Sequence, residues 1–248
     1  MVILKTELGI LYQGDALEIL RKVPNNSVDL VLTDPPYGLE NVSVIKRNGG
    51  KFGKAKAIGA NLDKQVISGV VYKDWIPLAY EKLKPVGVLI TFCQKMDISD
   101  IAKFLEKELG MVVRHIGVWH KTNPPPQARK VQWMNAWEPF IIATKNKGSG
   151  HHYNYKEGQF SDVISTPICM GNERTQHPAQ KPLKLFYPLV KWWSFEGDVV
   201  LDPFLGSGTT AVICEKLKRK WIGIEINEKY CKISKERILN EAKQLKLF

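Results

Sequence analysis

The segment Thr33-Asp34-Pro35-Pro36-Tyr37 brings together groups that suit one kind of chemistry. Its two prolines fix the backbone, and Asp34, which precedes a proline, is pushed to an extended conformation. A carboxylate and a backbone carbonyl can each accept one hydrogen of an exocyclic amino group on a flat heterocycle, which frees the nitrogen lone pair. The Tyr37 ring can stack on that heterocycle. The alternative is a proline-rich turn after a strand.

A second group of residues lies in Asp202-Pro203-Phe204-Leu205-Gly206-Ser207-Gly208-Thr209-Thr210. Its two glycines permit a tight turn, and a helix beginning near Thr209 would direct free N–H groups at a carboxylate. Glu225, further along the chain, ends a predicted strand and can accept both hydroxyls of a ribose. These features fit S-adenosylmethionine better than a dinucleotide, and neither the dinucleotide fingerprint nor the Walker motif is matched. For Asp202 the alternative is a structural cap.

Hydrophobic periodicity predicts the elements that position these groups. The apolar run 28–32 is typical of a buried strand, and it places Asp34 at a carboxyl end, where open α/β sheets bind ligands. Further strands are predicted at residues 8–13, 86–92, 111–119, 137–144, 199–201 and 221–225. Helices are predicted at residues 16–20, 72–83, 98–109 and 183–193, from about residue 209, and at 227–245. Because strands and helices alternate, we expect an α/β fold with a parallel sheet.

Two stretches have no apolar period. Residues 38–70 are basic and rich in glycine and leave directly from Asp34, so we interpret them as a flexible DNA-contacting loop. The alternative is a disordered surface insertion. Residues 145–176 form the second stretch, which we interpret as a small target-recognition insertion. Its adjacent histidines, His151 and His152, point in different directions in an extended chain, so no metal site is indicated.

Composition narrows the class of protein. The 248 residues suit a single domain spanning 1–248, and 36 Lys and Arg against 25 Asp and Glu give a net charge of +11. That excess favours a polyanion partner, although a solvated lysine-rich surface is the alternative. The four cysteines contain no CxxC pair, so neither a zinc site nor a disulfide framework is indicated. No apolar run reaches membrane-spanning length, and we expect an intracellular protein without a membrane partner.

The motifs together resemble one family. Asp34-Pro35-Pro36-Tyr37, His177-Pro178-Ala179-Gln180-Lys181-Pro182, the 202–210 segment and Gly223-Ile224-Glu225 are similar to motifs of amino-directed, S-adenosylmethionine-dependent DNA methyltransferases. Their order is that of the β group, in which the catalytic strand precedes the cofactor strands. The resemblance implies a circularly permuted, Rossmann-like methyltransferase fold with a mainly parallel twisted sheet and helices on both faces. It also implies that the strand before Asp15 lies beside the Glu225 strand.

The resemblance implies a role for residues at matching positions. Catalytic residues would be Asp34, Pro35, Pro36 and Tyr37. Cofactor-binding residues would be Asp15, Ala16, Asp34, Lys181, Asp202, Pro203, Phe204, Gly206, Ser207, Gly208, Thr209, Thr210, Glu225 and Ile226. Asp15 would lie near the cofactor adenine and Lys181 near its methionine end, with a surface lysine as the alternative for Lys181. Basic residues expected to contact DNA are Lys46, Arg47, Lys51, Lys54, Lys121, Arg129 and Lys130.

The implied activity is methyl transfer from S-adenosylmethionine to the N6 amino group of an adenine flipped out of double-stranded DNA, without a metal. Adenine is expected because family members that act on cytosine N4 usually carry serine where this chain has Asp34. Methylation of cytosine N4 is the alternative. From another class, the chain would be a non-catalytic DNA-binding protein with a methyltransferase-like fold. A cognate restriction endonuclease, a homodimer, and a cytoplasmic location in a prokaryotic or phage context are further expectations.

Overall fold

The computed structural model describes residues 1–36, 71–126, 133–145, 147–148 and 152–245. Within these residues the strands are β1 Val2–Lys5, β2 Gly9–Gln13, β3 Val28–Thr33, β4 Leu83–Phe92, β5 Val112–Lys121, β6 Trp137–Thr144, β7 Val163–Thr166, β8 Val199–Asp202 and β9 Lys220–Glu225. The α-helices are α1 Ala16–Leu20, α2 Tyr72–Lys82, α3 Ile98–Lys107, α4 Leu183–Trp192, α5 Thr209–Lys216 and α6 Glu228–Leu245. Two short 3-10 helices lie at Tyr155–Glu157 and Gly171–Glu173.

These strands form one sheet in the order β1-β2-β9-β8-β3-β4-β6-β5-β7. The five neighbouring strands from β2 to β4 are parallel, β6 runs antiparallel to β4 and β5, and β1 pairs antiparallel with β2. The predicted mainly parallel sheet is therefore confirmed. So is the predicted pairing of β2 with β9, in which Gln13 lies opposite Glu225. That pairing joins strands from the two ends of the chain.

Helices cover both faces of the sheet. Buried side chains of α1, α2 and α3 pack with one set of strand residues, and those of α4, α5 and α6 pack with the other set. Strand β3 lies between the two layers: Leu30 and Leu32 face one layer, whereas Val31 faces the other. All three side chains are fully buried, and each burial contributes about 1.5–3 kcal/mol. This two-sided packing explains why Leu30, Val31 and Leu32 are consecutive apolar residues, and it holds the residue after β3 in place.

The structure contains two strands that periodicity did not predict. Strand β1 is only four residues long and has charge at its end, and β7 lies inside the second irregular stretch. Both lie at edges of the sheet, where pairing with β2 and β5 supplies their hydrogen bonds without an apolar period. Part of the 145–176 stretch therefore extends the main sheet. The first irregular stretch, 38–70, lies outside the described residues.

None of the described helices combines the length and apolar character that crossing a membrane requires. All four cysteines are buried free thiols.

Candidate functional site

A cavity of about 460 Å³ opens at the carboxyl ends of β2, β3, β8 and β9. These strands are adjacent and parallel, so residues that follow them meet at one edge of the sheet. Each contributes an acid: Asp15 after β2, Asp34 after β3, Asp202 at the end of β8 and Glu225 at the end of β9. Four carboxylates far apart in sequence therefore surround a single cavity.

Asp34 is held by an ion pair that the sequence did not indicate. Its Oδ2 contacts Nζ of Lys181, a side chain that is almost fully buried. The same Nζ lies 3.0 Å from Oε2 of Glu138, whose Oε1 lies 2.5 Å from Nζ of Lys121. Burial lowers the pKa of Lys181, but the carboxylates of Asp34 and Glu138 outweigh burial and raise that pKa overall. Lys181 is therefore a cation beside the proposed catalytic acid. Pro35 and Pro36 also line the cavity, and Tyr37 lies outside the described residues.

Glu225 stabilises the turn that follows β8. Its Oε2 accepts a hydrogen bond from the backbone N–H of Gly206 at 2.9 Å, and its Oε1 accepts one from the N–H of Asn227 at 2.7 Å. Burial raises the pKa of Glu225, against the lowering effect of these N–H donors. A carboxylate has about four lone-pair positions, so Glu225 can hold this turn and still accept ribose hydroxyls.

Asp202 joins β8 to its neighbours. Its Oδ1 accepts from the hydroxyl of Thr33 at 2.7 Å and from the N–H of Phe204 at 3.1 Å, and its Oδ2 accepts from the hydroxyl of Thr210 at 2.6 Å. Burial raises the pKa of Asp202 to about 6, although the hydroxyls of Thr210 and Thr33 act to lower it. These contacts fit the structural cap that the sequence left as an alternative. Asp202 nevertheless lines the cavity as well.

The two glycines of the turn have different neighbours. Gly206, with φ +55°, lines the cavity, and a Cβ there would lie 3.0 Å from Nε2 of His177. Gly208, with φ +84°, is not among the lining residues. A Cβ on Gly208 would lie 2.8 Å from Cβ of Ser234 on α6. Its small size therefore makes room for a helix rather than for a ligand.

Apart from Gly208, each residue of the predicted cofactor set lines the cavity: Asp15, Ala16, Asp34, Lys181, Asp202, Pro203, Phe204, Gly206, Ser207, Thr209, Thr210, Glu225 and Ile226. Asp15 has a second contact, because its Oδ1 accepts from the N–H of Glu18 and caps α1. The hydroxyl of Thr209 donates to the carbonyl of Lys181 at 3.0 Å. That bond fixes the turn against the segment that carries Lys181.

Sequence reasoning missed Glu138, His177 and Tyr230 as lining residues. The rings of His177 and Tyr230 contact edge to face, with centroids 4.3 Å apart. Burial, aided by the charges of Lys181, Arg174 and Arg237, lowers the pKa of His177 to about 4. His177 opens the motif that ends in Lys181 and Pro182, so that motif was the available signal. For Glu138 no motif or periodicity marks a half-buried acid on a strand.

The residues that line the cavity fit S-adenosylmethionine. Five carboxylates, those of Asp15, Asp34, Glu138, Asp202 and Glu225, line it together with one lysine, which suits a positively charged sulfonium. Apolar side chains that line the cavity offer a surface for a purine, namely those of Leu17, Pro203, Phe204 and Ile226. The cavity can therefore hold a cationic nucleoside with Asp34 at its edge.

The predicted DNA contacts are only partly described. Lys46, Arg47, Lys51, Lys54, Arg129 and Lys130 lie outside the described residues. Lys121 is 7% exposed and pairs with Glu138 inside the protein. The structure thus buries Lys121, away from the exposed surface on which a phosphate contact was expected.

One other group of acids and histidine lies close together in the described part of the chain: Asp29, His152 and Asp198. Both oxygens of Asp29 accept from Nζ of Lys84, and Asp198 Oδ2 accepts from the N–H of Phe195 and contacts Nε2 of His152. Because internal donors already engage these carboxylates, the group serves as a link between β3, the start of β8 and the segment at His152.

Comparisons with known proteins agree on one family. A family model described as DNA methylase, covering N6 and N4 methyltransferases, matches residues 28–236. The chain is 32% identical over 242 residues to the type II methyltransferase M2.LlaDCHI of Lactococcus lactis subsp. cremoris, covering 94% of this chain and 90% of that protein. It is 32% identical over 239 residues to the type II methyltransferase M2.DpnII of Streptococcus pneumoniae, covering 92% and 89%.

Solved structures show the same likeness. The complex of M1.HpyAVI with SAM has a TM-score of 0.72 and 31% identity, and the match covers 93% of this chain and 99% of that one. The cytosine-N4-specific PvuII DNA methyltransferase has a TM-score of 0.74 at 20% identity, covering 98% and 94%. At that identity the second likeness shows the fold alone.

Proposed function

Since the chain belongs to the DNA methylase family, we propose that it transfers a methyl group from S-adenosylmethionine to the exocyclic N6 of adenine in double-stranded DNA. The observation that carries this proposal is the shared cavity: Asp34 and Pro35 line the same space as Gly206 and Glu225. A group that accepts hydrogens from an amine and a turn that suits a nucleoside cofactor thus lie side by side. The enzyme is an S-adenosylmethionine-dependent DNA methyltransferase with its catalytic motif ahead of its cofactor motifs.

The protein's task in this reaction is alignment. S-adenosylmethionine supplies a methyl group that is already activated by its sulfonium. Asp34 and the carbonyl of Pro35 each accept a hydrogen of the target amine and aim its lone pair for in-line displacement, while Tyr37 stacks on the base. The site is recessed at the sheet edge, so the base leaves the duplex, which costs a few kcal/mol in lost stacking.

Further parts of the proposal concern binding. Asp15 contacts the cofactor adenine, Glu225 its ribose, and the start of α5 with Thr209 and Thr210 its carboxylate, for each of these residues lines the cavity. Residues 38–70 contact DNA, and residues 145–176 contribute to recognition of its sequence.

The proposal also includes a cognate restriction endonuclease, a homodimer and a cytoplasmic location in a prokaryotic or phage context. The name type II methyltransferase of its relatives supports the first of these.

The test compares wild type with Asp34→Asn, using labelled S-adenosylmethionine and unmethylated DNA of varied sequence. Asp34→Asn removes the charge at nearly constant volume, so we expect the methylation rate to fall by about a hundredfold or more. Asp100→Asn, an exposed change in the first turn of α3, is the matched control and should leave the rate unchanged. Mass spectrometry of the digested DNA identifies the product as N6-methyladenine.

Other products would overturn specific parts of this proposal. N4-methylcytosine would keep the chemistry of the site and show the base assignment to be wrong. Absence of any methylated nucleoside, in protein that calorimetry shows to bind S-adenosylmethionine and DNA, would identify a non-catalytic DNA-binding protein. Equal rates for wild type and Asp34→Asn would remove Asp34 from the mechanism.

A further inference from the structure

Glu138 is a carboxylate at the site for which neither the motifs nor the reaction gives a role. It lies near the start of β6, its side chain is 22% exposed, and it lines the same cavity as Asp34. Its two oxygens contact two lysines: Oε1 lies 2.5 Å from Nζ of Lys121, and Oε2 lies 3.0 Å from Nζ of Lys181. Lys181 in turn contacts Asp34. The four side chains form a row of alternating charge that ends at the catalytic acid.

The row restrains a side chain that would otherwise be flexible. A lysine ammonium sits on a four-carbon stem and can point its three donors in many directions. Carboxylates on two sides of Lys181 Nζ limit that freedom, and the rings of Phe92 and Trp119 lie 5.3 and 5.8 Å from it. Removal of one partner from a buried ion pair leaves an uncompensated charge, which shifts the remaining group. The position of Lys181 at Asp34 thus depends on Glu138.

The electrostatics agree with this geometry. The charges of Lys181 and Lys121 outweigh the effect of burial and lower the pKa of Glu138, so its carboxylate stays ionised. Without that charge, Asp34 would be the one remaining carboxylate among the described ion pairs of the Lys121 and Lys181 ammonium groups. Lys181 would then move relative to Asp34 and disturb the acceptor geometry there.

We propose that Glu138 is a positioning residue for methyl transfer, which holds the ammonium of Lys181 against Asp34 Oδ2 so that Asp34 stays aligned to accept a hydrogen of the target amine. This inference rests on the proposed function. A carboxylate has about four lone-pair positions, so an ammonium on one oxygen is compatible with an amine hydrogen on the same group. Lys121 completes the row by holding the far side of Glu138.

The row also links Asp34 to the connection between β5 and β6. Lys121 ends β5, its backbone N–H donates to the carbonyl of Ala136 at 2.7 Å, and Glu138 lies just inside β6. The residues between them include Arg129 and Lys130, which we predict to contact DNA.

In this proposal Glu138 acts on Asp34 through Lys181 rather than on a ligand. Loss of the Glu138 charge should therefore slow the methyl-transfer step more than it weakens the binding of S-adenosylmethionine or DNA.

Single-turnover methylation by Glu138→Gln provides the test. This change removes the charge and keeps the volume, and we expect the methyl-transfer rate to fall about ten- to a hundredfold, as for the loss of one charged partner. The dissociation constants for S-adenosylmethionine and DNA should change less than about threefold, because Glu138 acts through Lys181 and four other carboxylates still line the cavity. Glu138→Asp, which keeps the charge, should recover part of the rate.

Two controls separate positioning from a general effect on the fold. Glu241→Gln breaks another Lys–Glu pair, 2.7 Å from Lys216 Nζ, and should leave the rate unchanged. In a Lys181→Met background, Glu138→Gln should slow the reaction no further, since residues that act through one another are not additive. If Glu138→Gln does not fold, as circular dichroism would reveal, Glu138→Asp and Lys181→Met decide the matter through their rates.

Three results would overturn the inference. A folded Glu138→Gln enzyme as fast as Glu241→Gln would show that Glu138 has no part in the reaction. Rate losses that multiply in the double variant would show that Glu138 does not act through Lys181. If neither Glu138→Asp nor Lys181→Met slows the reaction, then Glu138 does not act on the reaction through Lys181. Absence of methylation by wild type is distinct from all three and would overturn the proposed function itself.

Discussion

At the scale of the residue, the ionisation of Asp202 opposes folding near neutral pH. Burial raises its pKa to about 6 in the folded protein, and the charge of Asp34 also raises it. An unfolded aspartate titrates near about 3.9, so between pH values of about 4 and 6 the folded state binds the proton more tightly. The stabilisation from Asp202 is therefore complete below about pH 4 and is lost as the pH rises through about 6.

An Asp202→Asn variant should differ from wild type in how its stability depends on pH. The variant lacks the titrating group, so its free energy of unfolding relative to wild type should rise by about 2 kcal/mol between pH 4 and pH 6.5. Urea unfolding of both proteins at closely spaced pH values measures that difference. A difference that stays constant with pH would show that Asp202 keeps an ordinary pKa in the folded protein.

The contribution of His177 to the free energy of unfolding should change with pH in the opposite direction. Its pKa is lowered to about 4, so the neutral ring contributes stability above the unfolded pKa of about 6.5, and that stability is lost as the pH falls through about 4. A His177→Gln variant should therefore gain stability relative to wild type as the pH falls over the same range. Because the two residues act in opposite directions, the wild-type profile should be flatter than that of either variant.

At the scale of the element, the junction of the turn and α5 depends on Gly208. We predict that Gly208→Ala lowers the free energy of unfolding by about 2–5 kcal/mol, from a left-handed alanine and a clash with α6. The clash follows from the 2.8 Å that would separate the new Cβ from Cβ of Ser234. Urea unfolding measures the loss, and calorimetry should show weaker binding of S-adenosylmethionine because the turn beside the cavity must shift.

Gly110 provides the matched control for that prediction. It also has a left-handed backbone, with φ +65°, but a Cβ there would meet no atom within 4 Å. Gly110→Ala should therefore lower the free energy of unfolding by only about 1–2 kcal/mol, the cost of a left-handed alanine, and should leave cofactor affinity unchanged. Equal losses at the two positions would show that α6 yields to the added methyl group and that packing against Ser234 has no consequence.

The sequence predicted elements better than it predicted contacts between them. Strand β3 and helix α1 followed from local periodicity, and the order of the motifs was enough to pair β2 with β9. The reason for Gly208 lies in Ser234, which is remote in sequence, so no local pattern revealed it. Glu138 is a single acid on a strand, and only the folded chain places it between Lys121 and Lys181. Strand β7 depends on pairing with β5, which periodicity does not encode.

At the scale of the whole molecule, charge is divided between the site and the rest of the chain. The net charge is +11, yet five carboxylates and one lysine line the cavity. The basic excess therefore lies outside the cavity, where it attracts a polyanion, while the interior favours a cation. This division suits an enzyme that holds a sulfonium inside and a phosphate backbone outside.

The salt dependence of DNA binding tests where the basic contact surface lies. We predict that Lys51→Gln with Lys54→Gln lowers the slope of log K against log salt concentration by about 2, since each neutralised phosphate contact contributes about 0.9. The matched control is Lys22→Gln with Lys220→Gln: both lysines are exposed, one before β3 and the other at the start of β9, at the edge opposite the cavity. Fluorescence anisotropy with one labelled duplex at several salt concentrations measures both slopes. Equal reductions in the two double variants would mean that DNA binds through the overall electrostatic field of the protein rather than through residues 38–70.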